Sequence, residues 1–293
     1  MVTAIANDVC AITGSTGYVG SLLRQALAST RPVVALVREP RAADEISWSL
    51  ESSSGLEDAL RERGVRTLFH AAWDMRTSRM EDMERICVQG SRALFEAAAR
   101  AGVKRIVFIS TISAFEGCSS AYGKSKLAVE QMLQGSSHVV LRLGLVYGEH
   151  PGGVFGGIRQ QVRNSRFLPM IGRGLTPQYL LHETTLVETA LRAAEGEFDL
   201  QLGSAITLAH PKPWPFRDLV RNIAAAEQRS LHLVPLPWQL LFYGLRGAEA
   251  LSLPMSFRSD SVLSFVRCNR NPDFSPMQAL KIVPRPFQTW EMP

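Results

Sequence analysis

Short apolar runs alternate with amphipathic stretches along the first half of the chain. VCAIT (9–13), VVALV (33–37), RTLFHA (66–71), RIVFIS (105–110) and HVVLRLG (138–144) read as strands. They are apolar without alternation, which is what burial on both faces of a sheet produces. Between them, residues 18–30, 55–63, 80–102 and 122–135 place apolar residues at helical spacing. Strand–helix–strand units repeated in this way predict an α/β fold, a doubly wound parallel sheet with helices on both faces. Beyond about residue 150 the pattern changes: glycine, proline and aromatic residues cluster in PGGVFGG, FLPMIGRG, HPKPWPF and LVPLPW, and the helical pieces shorten. A smaller mixed region over 151–293, packed on the sheet edge, is the expectation.

Composition narrows the class. The 293 residues are 46% hydrophobic and 20% charged, with no low-complexity tract or heptad repeat. That excludes a disordered chain or a coiled coil as the main theme and leaves room for a large core. The net charge of +5 suits an anionic small molecule, a nucleic acid or an acidic membrane surface. No nucleic-acid reader motif accompanies it, so nucleic acid is not an expected partner. Cys10, Cys87, Cys118 and Cys268 are scattered without a C-x-x-C pair; neither a metal site nor a disulfide framework is expected, and the cytoplasm is the expected compartment. No signal peptide is expected at the N-terminus. The apolar stretch 230–245 is too short to span a bilayer and holds two prolines, so no transmembrane helix is expected. Residues 233–257 read as a buried C-terminal helix, with an interfacial membrane helix as the alternative.

The first strand empties into TGSTGYVGSLL. Gly14 allows a tight turn, Gly17 lets backbone N–H groups approach a pyrophosphate, and Gly20 permits close packing of helix on strand. With Ser15, Thr16, Tyr18 and Val19 between them, these are the expected cofactor contacts, and residues 1–150 become a dinucleotide-binding domain of the Rossmann type. The second strand ends in Arg38, where a guanidinium can hold a 2′-phosphate, and Arg41 could assist. NADP is therefore the expected cofactor. In the NAD alternative, Arg38 stacks on the adenine and Glu39 takes the ribose.

Chemistry is concentrated in AYGKSKLAVE. Tyr122 and Lys126 are four apart on a helix and so share a face. A phenol with a pKa near ~10 is a poor proton carrier at neutral pH, and a nearby ammonium favours its phenolate. Upstream, FISTISAF brings Ser110, Thr111 and Ser113 to the carboxyl edge of the sheet, where ligands bind in such folds.

Taken in order, TGSTGYVG, LFHAAWD (68–74), VQGSRALFEAAARAGVKRIVFIS, YGKSK and LRLGLVYG (141–148) resemble the extended branch of the short-chain dehydrogenase/reductase superfamily, the NAD(P)-dependent nucleotide-sugar epimerases and dehydratases. The resemblance runs over most of the chain. It implies that Tyr122 is the acid–base residue and that Lys126 lowers its pKa and binds the nicotinamide ribose. It also implies Thr111 as the active-site hydroxyl, with Ser113 as the fallback. His70, Ala71 and Ala72 would lie along the cofactor, and Gly144 and Val146 would pass the nicotinamide amide. A homodimer is compatible with it. The chain departs from the family pattern at Cys87, where Asn is usual, and at His182-Glu183-Thr184-Thr185, where an acidic pair is usual. It has only ten residues between Thr111 and Tyr122, and no acid beside Thr111, which argues against water elimination.

Arg159, Arg163, Arg166 and Arg173, interleaved with Phe155, Phe167 and Tyr179, suit a diphosphate and a nucleobase, or else form a solvated basic face. The expected function is hydride transfer at a carbinol or keto carbon of a nucleoside-diphosphate sugar. The alternatives are an NADPH-dependent reductase of a non-sugar carbonyl compound and a non-catalytic NADP-binding regulator or assembly subunit.

Overall fold

A computed structural model of the chain describes residues 8–76, 78–133, 138–198, 205–251, 253 and 257–287. It opens with β1 (Val9–Thr13), α1 (Tyr18–Ala28), β2 (Val33–Val37) and a three-residue β3 (Glu45–Ser47) too short to show in the apolar pattern. Then come α2 (Leu56–Glu62), β4 (Val65–His70) and α3 (Met80–Met83), which runs through a π-helical turn (Glu84–Val88) into α4 (Gln89–Arg100). β5 (Arg105–Thr111), α5 (Ala121–Gln131), β6 (Val139–Leu143) and β7 (Leu145–Tyr147) follow. The last two residues of the expected 122–135 helix lie outside the described residues.

The remaining elements are α6 (Gly153–Asn164), β8 (Phe167–Ile171), β9 (Pro177–Gln178), β10 (Leu180–His182), α7 (Glu183–Ala194) and β11 (Ile206–Leu208). β12 (Trp214–Pro215), α8 (Phe216–Ala226), β13 (His232–Leu236), α9 (Trp238–Ala250), α10 (Ser259–Val266) and α11 (Ser275–Ala279) complete the described chain.

Seven strands form one parallel sheet in the order β11-β6-β5-β4-β1-β2-β3. The chain winds outward from β1 to β3, then returns to the other side of β1 through β4. This reversal leaves a crevice beyond the carboxyl ends of β1 and β4, the place where such sheets bind ligands. Leu23 and Leu27 of α1, Leu186 and Ala190 of α7 and Met277 of α11 pack on one face. Leu56 and Leu60 of α2, Leu94 of α4 and Val129 of α5 cover the other. Cys10, Ala11 and Ile12 of β1 are fully buried between these layers, which is why that strand is apolar throughout.

The second half of the chain crosses the boundary that composition suggested near residue 150. It supplies β11 to the sheet and α7 to one face. Only a third cluster, with Phe155 and Val162 of α6 against Leu219, Val220 and Ile223 of α8, forms a core of its own. The expected buried helix within 233–257 is corrected. That stretch is β13, paired with β8, followed by α9, in which Leu245 is buried while Leu240 and Tyr243 are 68% and 69% exposed. Residues 252 and 254–256 lie outside the described set. Among the described residues, no helix is long and apolar enough to cross a membrane.

Candidate active site

At the crevice, Gly14 takes φ +69°, and a Cβ there would come within 2.7 Å of the Ala72 nitrogen. Only glycine lets the β1 turn lie this close to the segment after β4. The Gly17 N–H donates to Gly14 O at 3.0 Å. A Cβ at Gly20 would collide with that same carbonyl oxygen. Gly17 caps α1 without a side-chain hydrogen bond, and the first turn of α1 carries no acid. Thr16 and Gly17 are exposed, and Ser15 Oγ is buried without a partner. An uncapped helix N-terminus behind a glycine turn fits the pyrophosphate of a dinucleotide. Tyr18 points elsewhere: its hydroxyl donates to Glu183 Oε2 at 3.1 Å, and Val19 packs against the core.

His70, expected along the cofactor, ends β4. The amides of Ala71 and Ala72 both donate to Thr13 Oγ1 at 3.1 Å, so the threonine proton goes to His70 Nδ1 at 2.8 Å. On the other side Ser91 donates to Cys87 O at 2.6 Å, so its oxygen accepts from His70 Nε2 at 2.9 Å. The ring is fully buried and stacked on Phe108. Burial, with help from the Lys126 charge, drives its pKa down to about 3 and keeps it neutral. One nitrogen ties the end of β4 to β1 through Thr13, and the other ties it to α4 through Ser91.

Arg38 is exposed at the end of β2 and makes no hydrogen bond or ion pair shown among the described residues. Asp74 nearby is held below the usual carboxylate range, chiefly by its hydrogen bonds to Arg76 and in small part by the Arg38 charge. Gly144 packs where a Cβ would meet the side chain of Ala209 at 2.7 Å, and the Val146 side chain lies in the core.

The proton-handling groups sit one strand further along. Three hydroxyls reach the end of β5 and the loop after it, and they part ways. Ser110 donates to Glu130, whose carboxylate is paired with Arg142 at 2.6 and 3.0 Å in a mostly buried cluster. Thr111 instead lies near the Tyr122 phenol and pulls its pKa down, and its Oγ1 accepts from the Ser113 amide at 3.2 Å. α5 comes this close because Gly123 has no side chain; a Cβ there would collide with Ser113 O.

Lys126, one turn on from Tyr122, is 3% exposed. Its Nζ donates to Ile109 O at 2.7 Å and lies 3.9 Å from the centre of the Trp73 ring and 4.7 Å from that of Phe108. Burial pushes its pKa down to about 7, against the opposing pull of Cys87 and Glu130. Burial also pushes the Tyr122 phenol up to about 12, outweighing the pull of Thr111. In this state of the site desolvation governs both groups.

Trp73, Glu130 and Asp260 were not anticipated, and Cys87 was singled out only as a departure from the family pattern. Trp73 presents its face to Lys126 and stands edge-on to Tyr122, with ring centres 6.4 Å apart. Cys87 is fully buried on the π-helical turn, and burial raises its thiol. Glu130 extends the Tyr122–Lys126 face by another four positions, a spacing visible in the sequence. Asp260 binds the start of α5 from far along the chain.

The expected substrate set is largely committed elsewhere. Arg159 and Arg163 both pair with Glu227, the latter at 2.6 Å. Phe155 is fully buried, and Tyr179 is buried with its hydroxyl donated to Arg270 O at 2.6 Å. Arg166, Phe167 and Arg173 remain exposed. Among the described residues, no group of three His, Cys, Asp or Glu side chains could hold a metal ion.

Comparison with known proteins places the chain in a family. A ceramide reductase from Caulobacter vibrioides is 30% identical over 180 residues, covering 57% of this chain and 55% of that protein. A UDP-glucose 4-epimerase from Azospirillum brasilense is 29% identical over 174 residues, covering 48% of this chain and 50% of that protein. The chain thus spans about half the length of the curated relatives it matches. Among solved structures, a UDP-N-acetylglucosamine 4-epimerase from Methanobrevibacter ruminantium M1, in complex with UDP-N-acetylmuramic acid, shares the fold with a TM-score of 0.71. It is 16% identical, and the match covers 96% of this chain and 94% of that one. The family model for the NAD dependent epimerase/dehydratase family matches residues 10–199, more than half of the chain, and the chain belongs to that family.

Proposed function

We propose that the chain is an NADP-dependent oxidoreductase or epimerase that works at a carbinol or keto carbon, with Tyr122 as the proton-transfer group. The observation that carries this reading is the convergence of Thr111, Tyr122 and Lys126 at the sheet edge that also holds the glycine turn. When bound, the nicotinamide supplies the hydride donor or acceptor. Tyr122 gives its phenolic proton to a substrate carbonyl oxygen in reduction and takes the carbinol proton in the reverse direction. A phenol pushed up to about 12 stays protonated and ready to donate. Thr111 donates to the same substrate oxygen and orients it. Lys126 is poised near neutrality, and its charged form offsets the phenolate left behind.

Arg38 supports NADP over NAD, since its guanidinium is exposed while Glu39 is paired with Arg41. Calorimetry should show NADPH binding at least ~10-fold tighter than NADH, with the preference lost in Arg38→Ala. Equal affinities, or an NADH preference that survives the substitution, would contradict the assignment.

The family and the epimerase likeness support a nucleoside-diphosphate sugar as substrate. One observation favours a second reading, an apolar carbonyl compound. Arg159 and Arg163 are consumed by Glu227, whereas α9 turns Leu240 and Tyr243 to solvent and is fastened beside the site by the Ser78 hydroxyl on Glu249 at 3.0 Å. The likeness to a protein named ceramide reductase points the same way. The pure protein given UDP-glucose, UDP-N-acetylglucosamine or a long-chain ketone in micelles separates the two. Epimerised sugar supports the first reading, and NADPH consumed only with the ketone supports the second.

A further inference from the structure

The first turn of α5 is held by a group that no local pattern announces. Its own cap is Ser120, whose hydroxyl accepts from the Gly123 amide at 3.1 Å. The amides of Ala121 and Tyr122 have no partner within the helix, as at every helix start. Both donate to Asp260: Ala121 to Oδ1 at 2.7 Å and Tyr122 to Oδ2 at 3.0 Å. Asp260 stands in the first turn of α10, 138 positions beyond Tyr122, and is 8% exposed. Its neighbour Ser259 donates its amide and hydroxyl to Glu249 at 2.8 Å each, and Glu249 also accepts from Ser78 in the loop after β4. Two carboxylates of the C-terminal region thus grip both sides of the site, the helix with Tyr122 and the loop that follows Trp73.

Burying a carboxylate is costly, and desolvation does raise Asp260 above its ordinary value against the pull of these two amides. A neutral acceptor would satisfy the amides at smaller cost, so the charge calls for a further role.

We propose that Asp260 is the positioning residue for Tyr122: from the C-terminal region it fixes the first turn of the helix that carries the phenol, and its charge tunes that phenol through the helix start. The proposal rests on the reading of Tyr122 as the proton-transfer group. The positive end of a helix favours a nearby anion. Asp260 cancels that field at its source and so keeps the phenol protonated until substrate arrives. The other charged or titratable groups facing this pair are Lys124 and Lys126 on α5, Glu249 on α9 and Cys87 on the π-helical turn. Among the described residues, only Asp260 bonds the two first-turn amides.

The test titrates Tyr122 itself. Tyrosinate absorbance is followed after a pH jump, before unfolding, as wild type minus Tyr122→Phe, and again in the Asp260→Asn background. Asp260→Asn keeps the shape and one acceptor but removes the charge. Its Tyr122 titration should fall by about half a pH unit, the size of a helix-end charge effect. Asp260→Ala should also speed amide exchange at Ala121 and Tyr122 about tenfold, while NADPH affinity stays within about twofold in both variants. A role in folding alone would not move the phenol. An unshifted or raised titration in Asp260→Asn overturns the proposal, and if Asp260→Ala does not fold, Asp260→Asn decides alone. Turnover of Tyr122→Phe keeps the two claims apart. An inactive Tyr122→Phe with an unshifted Asp260→Asn removes only the role of Asp260, whereas an active Tyr122→Phe removes the proton-transfer reading.

Discussion

The glycine turn and the Tyr122 helix share one edge of the sheet, yet they are built on opposite terms. The turn is made of backbone: Gly14 and Gly20 are there because any Cβ would strike a main-chain atom, and the helix end behind it is left uncapped. The helix site is made of side chains in a dry setting, and desolvation reverses what the bare residues suggest. A lysine gives up its proton near pH 7 and a tyrosine becomes a weaker acid. Steric constraints act between residues close in sequence, while desolvation is imposed by whatever the fold brings from elsewhere.

The severest way to break this contrast is Gly20→Ala. The new methyl group must displace the Gly14 carbonyl, so urea denaturation should show a loss of about 3 kcal/mol, with NADPH binding weakened at least ~10-fold. Unchanged stability would mean that the turn is more pliant than its packing implies.

On the helix side, a pH effect belongs to Lys126. Its ordinary value is 10.5, and burial brings it to about 7. Between these limits the unfolded chain binds a proton that the folded chain does not, so stability rises with pH from about 7 to 10.5 and the contribution is flat below. The slope is at most about 1.4 kcal/mol per pH unit. Denaturation of the cofactor-free protein across this range should show the rise, and Lys126→Met should remove it. Parallel curves for the two proteins would mean that Lys126 stays charged.

The smallest effect sharpens the other half of the comparison. A Cβ at Gly17 would meet Gly14 O at 3.4 Å, an ordinary contact. Gly17→Ala should cost under about 1 kcal/mol in the same denaturation assay, and its larger effect should fall on NADPH affinity. A loss as great as that of Gly20→Ala would erase the distinction between a packing glycine and a binding one.

The two regions were legible to different depths for the same reason. TGSTGYVG carries its whole steric logic within a few residues, and the sequence named Gly14, Gly17 and Gly20 in their places. Five long apolar strands were equally plain, but β3 and β11 were not, since three residues give no pattern. At the helix site the spacing put Tyr122 and Lys126 on one face, strand-end position brought up Ser110, Thr111 and Ser113 together, and only the family resemblance singled out Thr111. Their protonation was not legible, because Trp73 and Phe108, which wall in Lys126, arrive from the loop after β4 and from β5. The partners of His70 were hidden for a related reason: Thr13 and Ser91 lie far from it in sequence. Asp260 had no local signature at all, because it meets its partners only after the chain has folded back. Arg159 and Arg163 looked free because their partner, Glu227, lies more than sixty residues away.

The central claim is that Tyr122 moves the proton while its ring merely packs. Tyr122→Phe removes one oxygen and leaves the ring against Trp73. General acid–base catalysis contributes ~10²–10⁴-fold, about 3–5 kcal/mol of barrier. Steady-state turnover on the substrate identified from the sugar-nucleotide and ketone panel should fall by that factor, with NADPH affinity by calorimetry within about twofold of wild type. Turnover retained near the wild-type rate, at equal cofactor affinity, would contradict the account and leave a cofactor-binding protein without proton chemistry at Tyr122.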